Sequence, residues 1–190
     1  TKTYELLENP VQDAILYAVS QFAELPREEI KIGIDGCSAP NFAMPLSAMA
    51  RSFANLINPP ESFGQNTPDA CRRIVSAMLR FPELIGGTGR LDTMLMQAAP
   101  GKLISKVGAD GVWLCAVLPE EKYPKGLVIA LKVEDGDDTR ARPAAAVEVL
   151  RQFGVITRKQ LTDVSPMPIR NRRGEIVGRV ESTISINETL

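Results

Sequence analysis

Three short stretches set reactive side chains in glycine-rich turns at the ends of apolar segments, where a rigid scaffold presents functional groups. The first is Gly33-Ile34-Asp35-Gly36-Cys37-Ser38-Ala39-Pro40-Asn41. Asp35 and Cys37 leave the end of a strand together. A carboxylate and a thiolate at that spacing can bind a divalent metal or orient a substrate amine. An ordinary tight turn has the same composition, with Asp35 bonding the backbone and Cys37 packed as a small hydrophobe.

The second stretch is Gly86-Gly87-Thr88-Gly89-Arg90-Leu91-Asp92-Thr93, at the start of a helix. Backbone N–H groups and the helix dipole there favour an anion, and Arg90 adds a planar fork for a carboxylate. The stretch lacks the lysine–hydroxyl ending of a P-loop and follows no convincing strand, which argues against a nucleotide. The plainer alternative is a connector in which Asp92 is an early-helix residue. The third stretch is Ser105-Lys106-Val107-Gly108-Ala109-Asp110-Gly111-Val112-Trp113. A lysine just before a glycine-bounded bend, beside a buried strand, is expected at an interior edge. Shielding from water there favours the neutral amine and lets Lys106 act as a base or proton shuttle. The pattern resembles the Lys-Ser/Thr-Gly strand of serine β-lactamases and penicillin-binding proteins. An ordinary edge-strand lysine is the alternative.

The elements that position these stretches are legible from periodicity. Asn9-Pro10-Val11-Gln12 reads as a helix start, with Asn9 as cap and Gln12 as its capping-box partner. Val11, Ile15, Ala18 and Phe22 follow at helical spacing, and Leu25-Pro26 ends the helix. Ile30, Ile32 and Ile34 alternate as in a strand, and a loop runs from Gly36 to Asn41. A helix then follows Met44-Pro45, with Leu46, Met49, Ala50, Phe53 and Ile57 on one face. The helix after Thr67-Pro68-Asp69 carries Cys71, Ile74, Met78 and Phe81, which makes Cys71 a core residue, and Pro82 marks its end. A helix over 91–98 leads to strands at 103–106, 112–118 and 126–133. A helix spans 139–153, with Ala146, Val149, Leu150 and Phe153 inward and Gly154 as its C-cap. Two short strands flank Arg172-Arg173-Gly174. The order predicts an α+β fold, helices packed on a largely antiparallel sheet, with no linker dividing the chain.

Composition removes several classes. The chain has 190 residues, 44% of them hydrophobic, enough for a sizeable core. With 22 basic against 23 acidic residues and no basic stripe, nothing points to nucleic acid. The cluster Arg170 to Arg173 reads as a solvated turn. No apolar run nears the ~18 residues of a membrane span. Cys37, Cys71 and Cys115 suggest no disulfide framework and fit a reducing cytoplasm. The chain contains no histidine, so no Ser-His-Asp triad can form. It begins at Thr1 without methionine, as expected of a processed or partial chain.

GIDGCSAPNFAMPLSAMA, GGTGRLDTMLM, GKLISKVGADGVW and GLVIALKVEDGDDTRARPAAAVEVLRQFG, in that order, resemble the bacterial asparaginase II family. The tail IRNRRGEIVGRV and the segment around Asn9 fit as well, so the resemblance covers essentially the whole chain. It implies a fold similar to serine β-lactamases and serine-dependent glutaminases, and hydrolysis of L-asparagine to L-aspartate and ammonia through serine–lysine chemistry. By position, Lys106 matches an active-site lysine that supports a serine. Asp35, Arg90 and Asp92 match substrate-facing positions. Cys37 matches a zinc-ligand cysteine, since relatives similar to the rhizobial enzyme bind zinc through two cysteines and a lysine. The family's Ser-x-x-Lys and Cys-x-x-Lys motifs do not occur here. The resemblance therefore casts residues 1–190 as the C-terminal portion of a catalytic domain, inactive alone and associating as a homodimer or with the missing N-terminal half. Three other readings compete: a serine amidohydrolase for another amide, a non-catalytic amino-acid-binding or regulatory module, and a hydrolase using Thr1 as an N-terminal nucleophile.

Overall fold

The computed structural model describes residues 3–186, so Thr1 lies outside the described residues. Internal contacts divide the chain into two compact units, Thr1–Arg73 and Ile74–Leu190.

In the first unit, α1 (Pro10–Ala23) starts as its sequence dictates: Asn9 Oδ1 accepts from Val11 N at 3.0 Å and Pro10 occupies the first turn. Gln12 does not complete a capping box. Its Nε2 donates instead to Tyr4 O at 2.6 Å. The apolar stripe of α1 is not its buried face either, because Val11 and Ile15 remain 45% and 41% exposed while Gln12, Ser20 and Ala23 are buried. Small and hydrogen-bonded residues allow the close approach to α2 (Leu46–Ile57), and that approach selects the face. Asn55 of α2 donates to Phe22 O at 2.9 Å and to Glu24 Oε1 at 3.1 Å, tying down the end of α1. Between the helices, β1 (Lys31–Ile34) and β2 (Pro40–Ala43) form an antiparallel hairpin. The sequence reading takes β2 as the end of a loop, because Pro40 masks a strand too short to show a period.

The chain continues through α3 (Thr67–Arg80). Cys71 and Met78 are buried as expected, while Ile74 and Phe81 are exposed. Pro82 does not simply stop the chain. It opens a one-turn helix, α4 (Pro82–Ile85), consistent with the tolerance of proline at a first helical position.

The second unit is built on a sheet of order β3-β4-β5, formed by Leu103–Val107, Val112–Val117 and Leu127–Lys132, antiparallel throughout. Asp110 and Gly111 at the β3–β4 turn both take positive φ, 54° and 81°, the Asp-Gly hairpin pattern. Gly111 is required there: a Cβ would stand 2.5 Å from Val133 O. Side chains alternate across the sheet. Leu103, Val107, Trp113, Cys115, Val117 and Leu127 share one face with α5 (Leu91–Ala98) and α6 (Ala141–Gln152) in a single apolar core. Ala146, Val149 and Leu150 of α6 point inward as expected. β6 (Met167–Arg170) and β7 (Ile176–Val180) form the expected terminal hairpin, whose basic turn is exposed. The architecture is α+β. Among the described residues no helix is long and apolar enough to cross a membrane.

Candidate functional site

The residues that the sequence singles out fall in both units. Asp35 and Cys37 lie in the turn of the β1–β2 hairpin. Asp35 Oδ1 accepts from Cys37 N at 2.8 Å and Ala39 N at 3.2 Å, and Ser38 takes the left-handed φ of 67° that closes the turn. Asp35 therefore folds its own loop, as the plainer reading holds. Cys37 is not packed but exposed at the tip, open to a metal or a reagent. A tetrahedral zinc site needs four donors. Among the described residues no group of three or more Cys, Asp or Glu converges to hold a metal. This loop offers one sulfur, Cys37, and does not complete a zinc site from its own residues.

In the second unit, three polar side chains with no measurable exposure meet beneath the end of β3. Asp92 Oδ1 accepts from Ser105 Oγ at 2.6 Å, and Asp92 Oδ2 accepts from Val107 N at 2.9 Å. Ser105 Oγ in turn accepts from Trp113 Nε1 at 2.8 Å. A carboxylate buried without such donors would carry a heavy desolvation cost, and this network offsets it. The charge reaches Cys115 as well: burial first, and then the negative charge of Asp92, push that thiol well above its ordinary range.

The loop before α5 is shaped to allow this contact. Thr93 Oγ1 donates to Gly87 O at 2.7 Å, with Pro82 O at 3.1 Å. Gly86 leaves the necessary space, since a Cβ there would lie 2.9 Å from Thr93 Oγ1 and 3.0 Å from Asp92 Cβ. Arg90, at the N-terminus of α5, is exposed. It borders a cavity of about 340 Å³ with Met94, Val107, Asp138, Arg142 and Met167, whose lining includes neither Asp92 nor Lys106.

Lys106 lies on edge strand β3 with its side chain on the opposite face from Ser105 and Val107. It is not shielded: the residue is exposed and Nζ donates to Val107 O at 2.9 Å. The expectation of an interior edge fails because, among the described residues, β3 has no strand beyond it. Arg142 is a residue that sequence reasoning misses. It is buried in the first turn of α6, donates to Gly108 O at 2.7 Å and Val112 O at 3.2 Å, and pairs with Asp138 at 2.6 Å. It thereby pins the bend that follows Lys106. Its signal in the sequence is an arginine at the head of the largely apolar run RPAAAVEVL.

The second unit thus presents a lysine on an edge strand whose end is bonded by a buried carboxylate and followed by a bend bonded by a buried guanidinium. Residues 1–182 match the family model described as L-asparaginase II, and the chain belongs to that family, which implies an asparaginase-type amidohydrolase. No curated protein matches the chain.

Proposed function

We propose that this chain is the lysine-bearing portion of an L-asparaginase that converts L-asparagine and water to L-aspartate and ammonia. The family match over residues 1–182 is the observation that carries the reading. No serine among the 190 residues has a lysine three positions on, so the nucleophile is assigned to a Ser-x-x-Lys segment outside them. The scaffold proposed is that of the serine β-lactamases.

In this mechanism the serine Oγ attacks the side-chain amide carbon as its proton passes to a lysine amine. Backbone N–H groups hold the oxyanion. The C–N bond then breaks, and Lys106 delivers the proton that lets nitrogen leave as ammonia. Water attacks the acyl ester, releasing aspartate and regenerating the serine. Arg90, on the same unit as Lys106, is assigned to the substrate's α-carboxylate. Cys37 is assigned one zinc-ligand position, the other donors coming from elsewhere. That part is tested by metal content, which Cys37→Ser must reduce. The same reading has the chain associate, as a homodimer or with the segment carrying the nucleophile, which sedimentation measures.

The test is ammonia release from L-asparagine, L-glutamine and a β-lactam by the natural protein carrying this chain. Preference for asparagine supports the reading, and preference for another amide moves the protein to a different substrate. Binding of asparagine without turnover identifies an amino-acid-binding module, the reading favoured by the absence of Ser-x-x-Lys.

A further inference from the structure

We propose that Asp92 is a positioning residue for Lys106, acting through the β3 backbone rather than on substrate. The inference rests on Lys106 being the active-site lysine. Asp92 binds the residue on either side of it, the hydroxyl of Ser105 at 2.6 Å and the amide of Val107 at 2.9 Å. The two contacts straddle Lys106, one on the face opposite its side chain and one at the open edge of β3.

Ladder geometry explains why the second contact matters. Leu118 N donates to Lys102 O at 2.8 Å and Gly108 N to Val112 O at 2.9 Å, so the even-numbered residues of β3 direct their backbone toward β4. The N–H of Val107 therefore faces the open edge, where no strand among the described residues receives it. Asp92 Oδ2 takes that place. On the other side of the same residue, Val107 O accepts from Lys106 Nζ. The residue whose carbonyl holds the amine of Lys106 is thus itself held through its N–H by Asp92. Trp113 completes the clamp by holding Ser105, and Arg142 holds the carbonyl of Gly108 one residue further on.

The chemistry calls for a carboxylate. Its two oxygens accept from two donors on alternate residues of one strand, whereas an amide has one acceptor and would turn an N–H₂ donor toward Val107 N–H or Ser105. With no measurable exposure, Asp92 cannot reach a ligand without leaving both contacts.

The test uses the natural protein carrying this chain, with four variants: Lys106→Met, Asp92→Asn, Ser105→Ala and the Lys106→Met/Asp92→Asn double. A misplaced catalytic group costs up to about a hundredfold, so Asp92→Asn is expected to lower kcat at least about tenfold per folded molecule, with KM for asparagine within about twofold. Ser105→Ala loses one of the two ties and is expected to fall between wild type and Asp92→Asn. In the Lys106→Met background, Asp92→Asn is expected to change the residual rate by less than about twofold, because its effect runs through the lysine. A raised KM at constant kcat, or equal losses with and without Lys106, would overturn the proposal. If Asp92→Asn does not fold, Ser105→Ala decides: an unchanged kcat refutes the clamp. Full activity in Lys106→Met refutes instead the assignment of the lysine, which separates the two failures.

Discussion

Asp92 and Ser105 meet at 2.6 Å across the core of the second unit, neither with measurable exposure, with Trp113 donating to the same hydroxyl. Ser105→Ala removes a hydrogen bond to a charged group and strands the indole N–H. The expected loss is about 2–3 kcal/mol of unfolding free energy. Urea denaturation checks it, and a change under about 0.5 kcal/mol would show that the network contributes little.

The cysteines should separate by reactivity. Cys37 is exposed, whereas burial pushes the thiols of Cys71 and Cys115 up, and for Cys115 the charge of Asp92 adds to it. The thiolate is the reactive form. An aromatic disulfide reagent at pH 8 is therefore expected to label Cys37 alone in folded protein and all three cysteines after denaturation. Fast labelling of a second thiol in the native state contradicts the burial.

The same shift gives a pH dependence whose sign is fixed. An unfolded thiol ionises near its ordinary 9.0, whereas folded Cys115 keeps its proton. Above that pH the folded state binds more protons than the unfolded one, so stability declines as pH rises. Unfolding midpoints from pH 8 to 10 should fall, and less steeply in Cys115→Ala, whatever its overall stability.

The loop before α6 responds at the other end of the scale. The guanidinium of Arg140 lowers the carboxyl of Asp135, and the hydroxyl of Thr139 lowers that of Asp137. Depressed carboxylates stabilise the fold above their ordinary 3.8 and lose that contribution as pH falls through their lower folded values. The groups are exposed, so the effect is small and screened by salt. Arg140→Ala should move Asp135 back up in a carboxyl NMR titration, and an unmoved titration would remove the ion pair from the account.

Gly111 and Gly174 make an internal comparison. Both have positive φ, 81° and 84°, but a Cβ at Gly111 would strike Val133 O at 2.5 Å, while nothing lies within 4 Å at Gly174. Gly174→Ala should cost about 1 kcal/mol, the left-handed penalty alone. Gly111→Ala adds a steric clash and should cost at least about 2 kcal/mol more. Equal losses in denaturant titrations would mean that the turn relaxes freely.

Local punctuation made much of this fold readable. The glycine-rich stretch before α5 and the glycine-bounded bend after Lys106 bracket the segment from α5 through β3 to β4, and its elements form close to where the sequence puts them. The choice of helix face was not readable in α1, because Val11 and Ile15 form a stripe without specifying what covers it. Nor was the clamp. Asp92, Ser105 and Trp113 each sit in an apolar stretch, and only the folded sheet brings them together. Ser105 alone gave a hint, as a polar residue in the inward series Leu103, Ser105, Val107, where a buried hydroxyl needs a partner. The resemblance puts Asp92 at a substrate-facing position, whereas its burial turns it toward the strand.

The account rests most directly on Lys106, and ammonia release from L-asparagine by the natural protein with Lys106→Met measures it. Loss of a general acid–base group lowers the rate by about 10²–10⁴. The account predicts a drop of at least about a hundredfold with the circular dichroism spectrum and unfolding midpoint retained. A folded variant that releases ammonia at the wild-type rate would contradict it.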